Sequence, residues 1–244
     1  MNAYQALLSV MKIRFTCLLF LALLGSGLLH GQRRRLQNQP KYDEKPIHFG
    51  FSVGMNTYDF KIDPIPNLDT LNGYFNVESV TEPGYSIAII SNLRLGHYFD
   101  LRFNPGFSST VRRLRFDIID PNTGENVTER REIESSFLEF PLELKFKSQR
   151  VNNYRLYVTG AAMYSLDLSS DEDIEDDRVF KLARNDYSYV LGFGVDIYFE
   201  YFKFSPQIKA QFGLSDVSVD DDTFLVEGLQ RVQTRAILIN FTFE

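Results

Sequence analysis

The chain has 244 residues, a formal net charge of −6, 22 Phe, 13 Tyr and a single cysteine. The acidic balance argues against a nucleic-acid partner, which would be met by a basic patch, and Phe and Tyr in such number suit a pleated surface. No stretch approaches the ~18 consecutive apolar residues of a transmembrane helix.

Residues 1–31 read as an export signal. Lys12 and Arg14 give a basic start, Phe15 to Leu24 an apolar core, and Gly25-Ser26-Gly27 to Gly31 a small-residue exit before Gln32. Met11 reads as the natural start, because residues 1–10 add no positive charge. Cys17 lies inside the apolar core and is not placed as a lipid acceptor. The exported chain would then hold no disulfide, cysteine nucleophile or thiolate metal site. Residues 32–46, polar and ending in Pro46, are expected to form a periplasmic tail, with Arg33-Arg34-Arg35 either solvated or touching acidic partners or lipid headgroups.

From residue 47 onward the sequence alternates with period 2. Ile47 to Met55 sets Phe49, Phe51 and Val53 against Gly50, Ser52 and Gly54. After Pro83, Tyr85, Ile87, Ile89, Leu93 and Leu95 face away from Arg94. Leu101 to Val111 opposes Leu101, Phe103 and Phe107 to Arg102, Asn104 and Ser108. Ser135 to Lys147 opposes Leu138, Phe140, Leu142, Leu144 and Phe146 to Glu139, Pro141, Glu143, Lys145 and Lys147. Tyr154 to Leu168, Tyr187 to Phe199 and Phe202 to Leu214 divide the same way. Thr234 to Glu244 sets Ile237, Ile239, Phe241 and Phe243 against Ala236, Leu238, Asn240 and Thr242. These are eight strands.

Their connections alternate in length. The links 63–82, 117–130, 169–186 and 216–229 are long and polar, whereas those at Leu95–Asp100, Gln149–Tyr154 and Phe199–Lys203 are very short. The layout is that of an all-β, eight-stranded antiparallel up-and-down transmembrane β-barrel over residues 47–244, in which a closed sheet pairs every backbone group inside lipid. By the rule of that class the short turns and both termini face the periplasm. Tyr98, Phe99, Tyr154, Phe199, Tyr201, Phe202, Phe241 and Phe243 cluster at that end as an aromatic girdle. A soluble lipocalin-like barrel would instead hide its apolar face inward. Two features disturb the pattern. Pro105, Pro141 and Pro206 sit mid-strand, where a bulge or kink and a shaped lateral surface are expected. Tyr58, Phe60 and Ile62, and likewise Leu114 and Phe116, fall out of phase with their strands, as bulges or as extensions beyond the membrane.

Eight strands leave an interior that side chains fill. The inward set is Arg94, Arg102, Glu139, Glu143, Lys145, Arg155, Lys203, Lys209 and Arg235. It mixes signs and must neutralise itself, so the barrel should not be a channel. His30 belongs to the signal, and His48 and His97 read as rim residues without a nearby carboxylate. No outer loop carries a histidine base, so an outer-membrane hydrolase or acyltransferase is not expected. The acidic run Asp171–Asp177 and Asp220–Asp222 read as solvated loops and lack the pattern of a calcium-binding loop. No catalytic, metal or cofactor residue and no small-molecule substrate is indicated.

Several strings carry a resemblance. Asn92-Leu-Arg-Leu with Leu101-Arg-Phe-Asn-Pro-Gly-Phe107, Phe137-Leu-Glu-Phe-Pro-Leu-Glu-Leu-Lys-Phe-Lys147, Asn153-Tyr-Arg-Leu-Tyr157 and Tyr201-Phe-Lys-Phe-Ser-Pro-Gln-Ile-Lys209 resemble the PorT family of the Bacteroidetes. The resemblance covers nearly the whole exported chain. It implies a non-enzymatic outer-membrane component of the type IX secretion system, which exports cargo bearing a C-terminal signal domain and, in relatives, supports gliding motility. In the Porphyromonas lineage the cargo would include gingipain-type cysteine proteases. The partners implied are outer-membrane lipid and other type IX proteins. The family offers no catalytic residues to carry over, and Glu244 departs from the aromatic last residue common in outer-membrane barrels. A surface adhesion or recognition barrel, working through its long outer loops, is the alternative.

Overall fold

A computed structural model describes residues 37–64, 74–119, 126–170, 182–218 and 229–244. The signal, Arg33–Arg35, the acidic run and Asp220–Asp222 lie outside the described residues. Among the described residues there are ten strand segments: β1 (Ile47–Pro64), β2 (Tyr74–Thr81), β3 (Pro83–Arg94), β4 (Phe99–Phe103), β5 (Gly106–Ile119), β6 (Asn126–Lys147), β7 (Tyr154–Asp167), β8 (Asn185–Tyr198), β9 (Lys203–Gly213) and β10 (Leu229–Phe243).

All pairings are antiparallel. The sheet runs β1-β10-β9-β8-β7-β6, continues through β4 and β5 to β3 and β2, and closes by pairing β3 with β1. β2 with β3, and β4 with β5, are single strands interrupted once, so eight runs surround the lumen. The first interruption is a bulge, because Glu82 to Gly84 oppose only Thr110 and Val111. At the second, Asn104 and Pro105 face Phe140 and Pro141 two against two, and no register is lost.

Closure leaves each strand one face outward and one inward, and the two faces differ sharply. Outward stand Phe49, Ile89, Leu142, Phe193 and Ile208, each more than half exposed. Such a surface would be untenable in water but is what a hydrocarbon belt covers. Short turns close one end. The Asn152-Asn153 hairpin is the tightest: Val151 and Tyr154 exchange both backbone hydrogen bonds, and Asn152 adopts φ 54°, a left-handed conformation Asn tolerates.

The strands run further toward the long-loop end than alternation suggested. β1 reaches Pro64, β2 begins at Tyr74, and β5 and β6 approach each other at Ile119 and Asn126, so much of the first and third links is strand. β6, with 22 residues, exceeds the ~25 Å apolar band of such barrels several-fold in contour length. Its outer face there is polar: Arg113 pairs with Glu82 and, at 2.7 Å, with Glu132.

Tyr58 and Phe60 are not bulges. β1 pairs with β10 from Phe51 to Asp63 without a shift, so both rings stay on the inward face, where they are buried. β5 likewise pairs with β6 through Leu114 and Phe116 without a break. What changes is the chemistry of the lumen: beyond mid-height rings and aliphatic side chains such as Tyr58, Phe60, Phe137 and Val232 enter it among the polar groups, while the backbone keeps its phase.

Candidate functional site

The lumen is the most constrained part of the molecule. Buried inside it are the cations Arg102, Arg112, Lys145, Lys147, Arg155, Lys203 and Lys209 and the acids Asp100, Glu139, Glu143, Asp167, Asp186 and Asp196, joined by Glu244. Opposed charges in near balance are what a low-dielectric interior demands, since an unpaired ion there costs several kcal/mol.

Arg102 is the hub. Its Nη2 donates to Glu244 Oε1 at 2.7 Å, its Nε donates to Asn92 Oδ1 at 2.7 Å, and its Nη1 lies 3.9 Å from Glu143. Lys209 reaches Glu143 from β9. Lys145 donates to both oxygens of Asp196 at 2.7 and 2.8 Å while its ammonium lies 3.6 Å from the Tyr157 ring centre. Ser205 Oγ donates a further hydrogen bond to Asp196 at 2.7 Å. Lys203 completes the set on Glu244 at 2.9 Å.

Toward the long loops the filling changes. Tyr58 donates its hydroxyl to Glu139 and stacks on Phe137 at 5.3 Å, with Ala236 and Leu238 alongside. Arg112 is wedged between rings, 4.1 Å from Phe60 and 5.3 Å from Phe137, and donates to Ser135 Oγ at 2.5 Å. Leu182 and Val217, both buried, close over this end through an isolated bridge, Leu182 to Ser218. Between the two halves is a cavity of ≈ 50 Å³ lined in part by Ser52, Asn104, Glu139 and Lys209, room for a few waters and nothing larger.

The short-turn end is plugged. The segment expected as a tail docks into the mouth over residues 38–46. Asn38 donates its backbone N–H to Asn153 Oδ1 and its amide to the Tyr198 carbonyl, both at 2.9 Å. A 3₁₀ turn, Tyr42–Glu44, then turns Tyr42 and Asp43 inward. Asp43 accepts both guanidinium nitrogens of Arg155 at 2.8 Å and the Tyr198 hydroxyl at 2.9 Å. Burial alone would raise the Asp43 carboxyl, but Arg155, Tyr198 and Arg150 outweigh it and hold the carboxyl below its ordinary value. Tyr42 is buried and donates to Glu244 at 3.3 Å. Burial, with Glu244 beside it, raises its hydroxyl, which stays protonated.

The residues singled out by sequence fall as follows. Arg102, Glu139, Glu143, Lys145, Arg155, Lys203 and Lys209 line the lumen. Arg235 does not: it is exposed on the outer wall opposite Asp59, because it shares the phase of Ile237 and Ile239. Arg94 sits half-buried at the rim, donating to Gly96 O at 3.3 Å. The eight girdle aromatics all stand outside at the short-turn end, with Phe199 stacked on Phe202 at 5.0 Å and Tyr98 and Phe99 against Phe146.

The three prolines neither share one lateral surface nor each carry a bulge. Pro141 lines the central cavity. Pro105 sits at the β4–β5 interruption, where its carbonyl still accepts from Ile89 N–H at 2.9 Å. Pro206 pairs with Phe241 in an unbroken register. Among the described residues the register shifts beside other prolines, at Pro83 and between Asp63 and Pro64.

His48 also differs from expectation, since its Nε2 lies 2.8 Å from Glu244 Oε2. Glu244, Asp186 and Asp100 escaped notice as lumen carboxylates, although Glu244 shares the inward phase of Thr242. Asp43 had no periodic signal. No cluster of three His, Cys, Asp or Glu able to hold a metal is found among the described residues.

The family profile described as "Outer membrane protein beta-barrel domain" matches residues 32–219. The chain belongs to that family. This outer membrane β-barrel protein resides in the outer membrane, its apolar wall in lipid. No curated protein matches it. Among solved structures it is similar to Neisserial surface protein A (9% identity, TM-score 0.41, 81% of this chain and 98% of that one). It is also similar to OprG of Pseudomonas aeruginosa (12%, 0.38, 81% and 93%). A third is Ail, the attachment invasion locus protein of Yersinia pestis, in complex with the heparin analogue sucrose octasulfate (11%, 0.37, 80% and 96%).

Proposed function

We propose that this barrel is a non-enzymatic accessory component of the type IX secretion system, needed for export of cargo such as gingipain-type proteases and not itself the conduit. The observation that carries this reading is the filled lumen: paired ions across one half, rings across the other, and a docked plug at the mouth leave no passage for a polypeptide. Work on other proteins is then left to the outer wall, the rims and the loops. The choice of secretion system rests on the strings Phe137–Pro141 and Phe202–Pro206, which resemble the PorT family. By the rule for such barrels the short turns, the plug and Glu244 face the periplasm, within reach of periplasmic and membrane components of a translocation apparatus.

Deleting the gene should leave cargo unprocessed inside the cell, and normal cargo export in the deletion strain would defeat the reading. A second reading, surface recognition, is favoured by the way β5 and β6 extend past the apolar belt with a charged outer face. Trimming residues 169–186 separates the two, because recognition through the loops would be lost while export would persist.

A further inference from the structure

The mouth holding residues 38–46 is built like a receptor. Its guanidiniums are pre-positioned by groups outside the plug. Arg150 lies 3.6 Å from the Tyr198 ring centre and donates its Nε to Asn152 O at 2.8 Å. Arg155 lies 5.7 Å from the same ring. The fork of Arg155 meets a carboxylate in the bidentate geometry such forks favour, and the Tyr198 hydroxyl supplies a third donor.

The occupant, by contrast, is held mostly through side chains and not by sheet pairing. It adds no strand to the sheet. Its backbone bonds to the barrel are the Pro46 carbonyl accepting from Arg94 N–H at 2.8 Å, the Asn38 N–H donating to Asn153 Oδ1 at 2.9 Å, and the Asn38 and Gln39 carbonyls accepting from Arg150; the rest are through side chains. Pro40, Lys41, Glu44 and Lys45 are exposed. If it lifted away, Arg150 and Arg155 would lose Asp43, whereas the neighbouring Lys147 and Lys203 would keep Asp100 and Glu244, at 2.5 and 2.9 Å.

We propose that the short-turn mouth is a carboxylate-recognition site for a peptide segment bearing an aromatic ring followed by a carboxylate, occupied in cis by the Tyr42-Asp43 pair, and that residues 38–46 are a displaceable plug standing in for a partner's segment of like chemistry. Arg155 and Arg150 hold the carboxylate, Tyr198 donates to it, and the hollow between Tyr198 and His48 takes the preceding ring, as it takes Tyr42 at 5.9 and 4.8 Å.

The test uses the mature chain folded in detergent micelles and a labelled synthetic peptide of residues 37–46 added in trans. In wild type the plug competes, lowering apparent affinity by the fraction of time the site is free. Asp43→Asn empties the site without changing its shape, so the peptide should bind that variant tighter by roughly tenfold or more. The gain should vanish in Asp43→Asn/Arg155→Ala and with a peptide carrying Asn for Asp. Tryptic cleavage after Lys41, slow in wild type, should speed up in Asp43→Asn, and retained heat-modifiable migration on gels confirms that each barrel is closed. Equal peptide binding to wild type and Asp43→Asn, binding indifferent to Arg155 or to the peptide carboxylate, or unchanged cleavage at Lys41 would each overturn the proposal. So would displacement of the peptide by anionic phospholipid vesicles but not by unlabelled peptide, which would make the site one for lipid phosphate.

Discussion

Near the short turns the lumen is filled by Arg102, Lys145, Lys203 and Lys209 locked onto Asp196, Glu143 and Glu244. Near the long loops Tyr58, Phe60, Phe137, Val232 and Leu238 surround Arg112, whose charge is met by Asp167 at 3.8 Å, with Asp186 also buried. Both halves are buried, yet they tolerate change differently. A ring can be trimmed at the cost of a cavity, whereas one ion removed from a network leaves its partners charged, dry and short of a counter-ion. The charged half is therefore the more specific and the more fragile.

The comparison breaks most readily at Arg102. Arg102→Ala removes the cation that Glu244 and Glu143 share, leaving them Lys203 and Lys209, and should cost about 3–5 kcal/mol, read as a lower urea midpoint for loss of heat-modifiable migration. In the other half, Leu238→Ala should cost about 2–3 kcal/mol. A loss equal to that of Arg102→Ala would erase the contrast. Tyr58→Phe, which keeps the ring and removes only the hydroxyl given to Glu139, should cost about 1–2 kcal/mol. Arg235→Ala, on the outer wall, should shift the midpoint by no more than about 0.5 kcal/mol.

The plug sharpens the comparison by pH. Asp43 titrates below its ordinary 3.8. Its clamp is thus fully present above that value and is lost as pH falls through the lower, folded-state value. A dye on Pro40→Cys should keep its anisotropy from neutral pH down to about 5 and lose it only in stronger acid. Asp43→Asn should lower the anisotropy at every pH.

The architecture was legible because a bilayer enforces period 2 so strictly. Phe49, Phe51 and Val53 against Gly50, Ser52 and Gly54 already place wall and lumen. Legibility ended where the lumen changed chemistry. Tyr58 and Phe60 looked like slips because hydrophobicity, which marks the wall lower down, marks the interior higher up. Arg235 failed for the opposite reason, a charge taken as inward where the strand had left the apolar belt. Asp43 could not be read at all, since a docked plug has no repeat and its pairing with Arg155 depends on the barrel already being closed.

That last dependence extends to Glu244. Gly50 leaves the space it needs, since a Cβ there would lie 2.6 Å from Glu244 Cγ. The carboxylate then draws together His48, Arg102 and Lys203 and takes a hydrogen bond from Tyr42, 202 positions earlier in the chain. Contacts of such sequence separation carry a loop-closure entropy cost before they return any stabilisation. The charge network therefore ties the first described segment of the chain to its last residue, and is complete only when β1 and β10 have met.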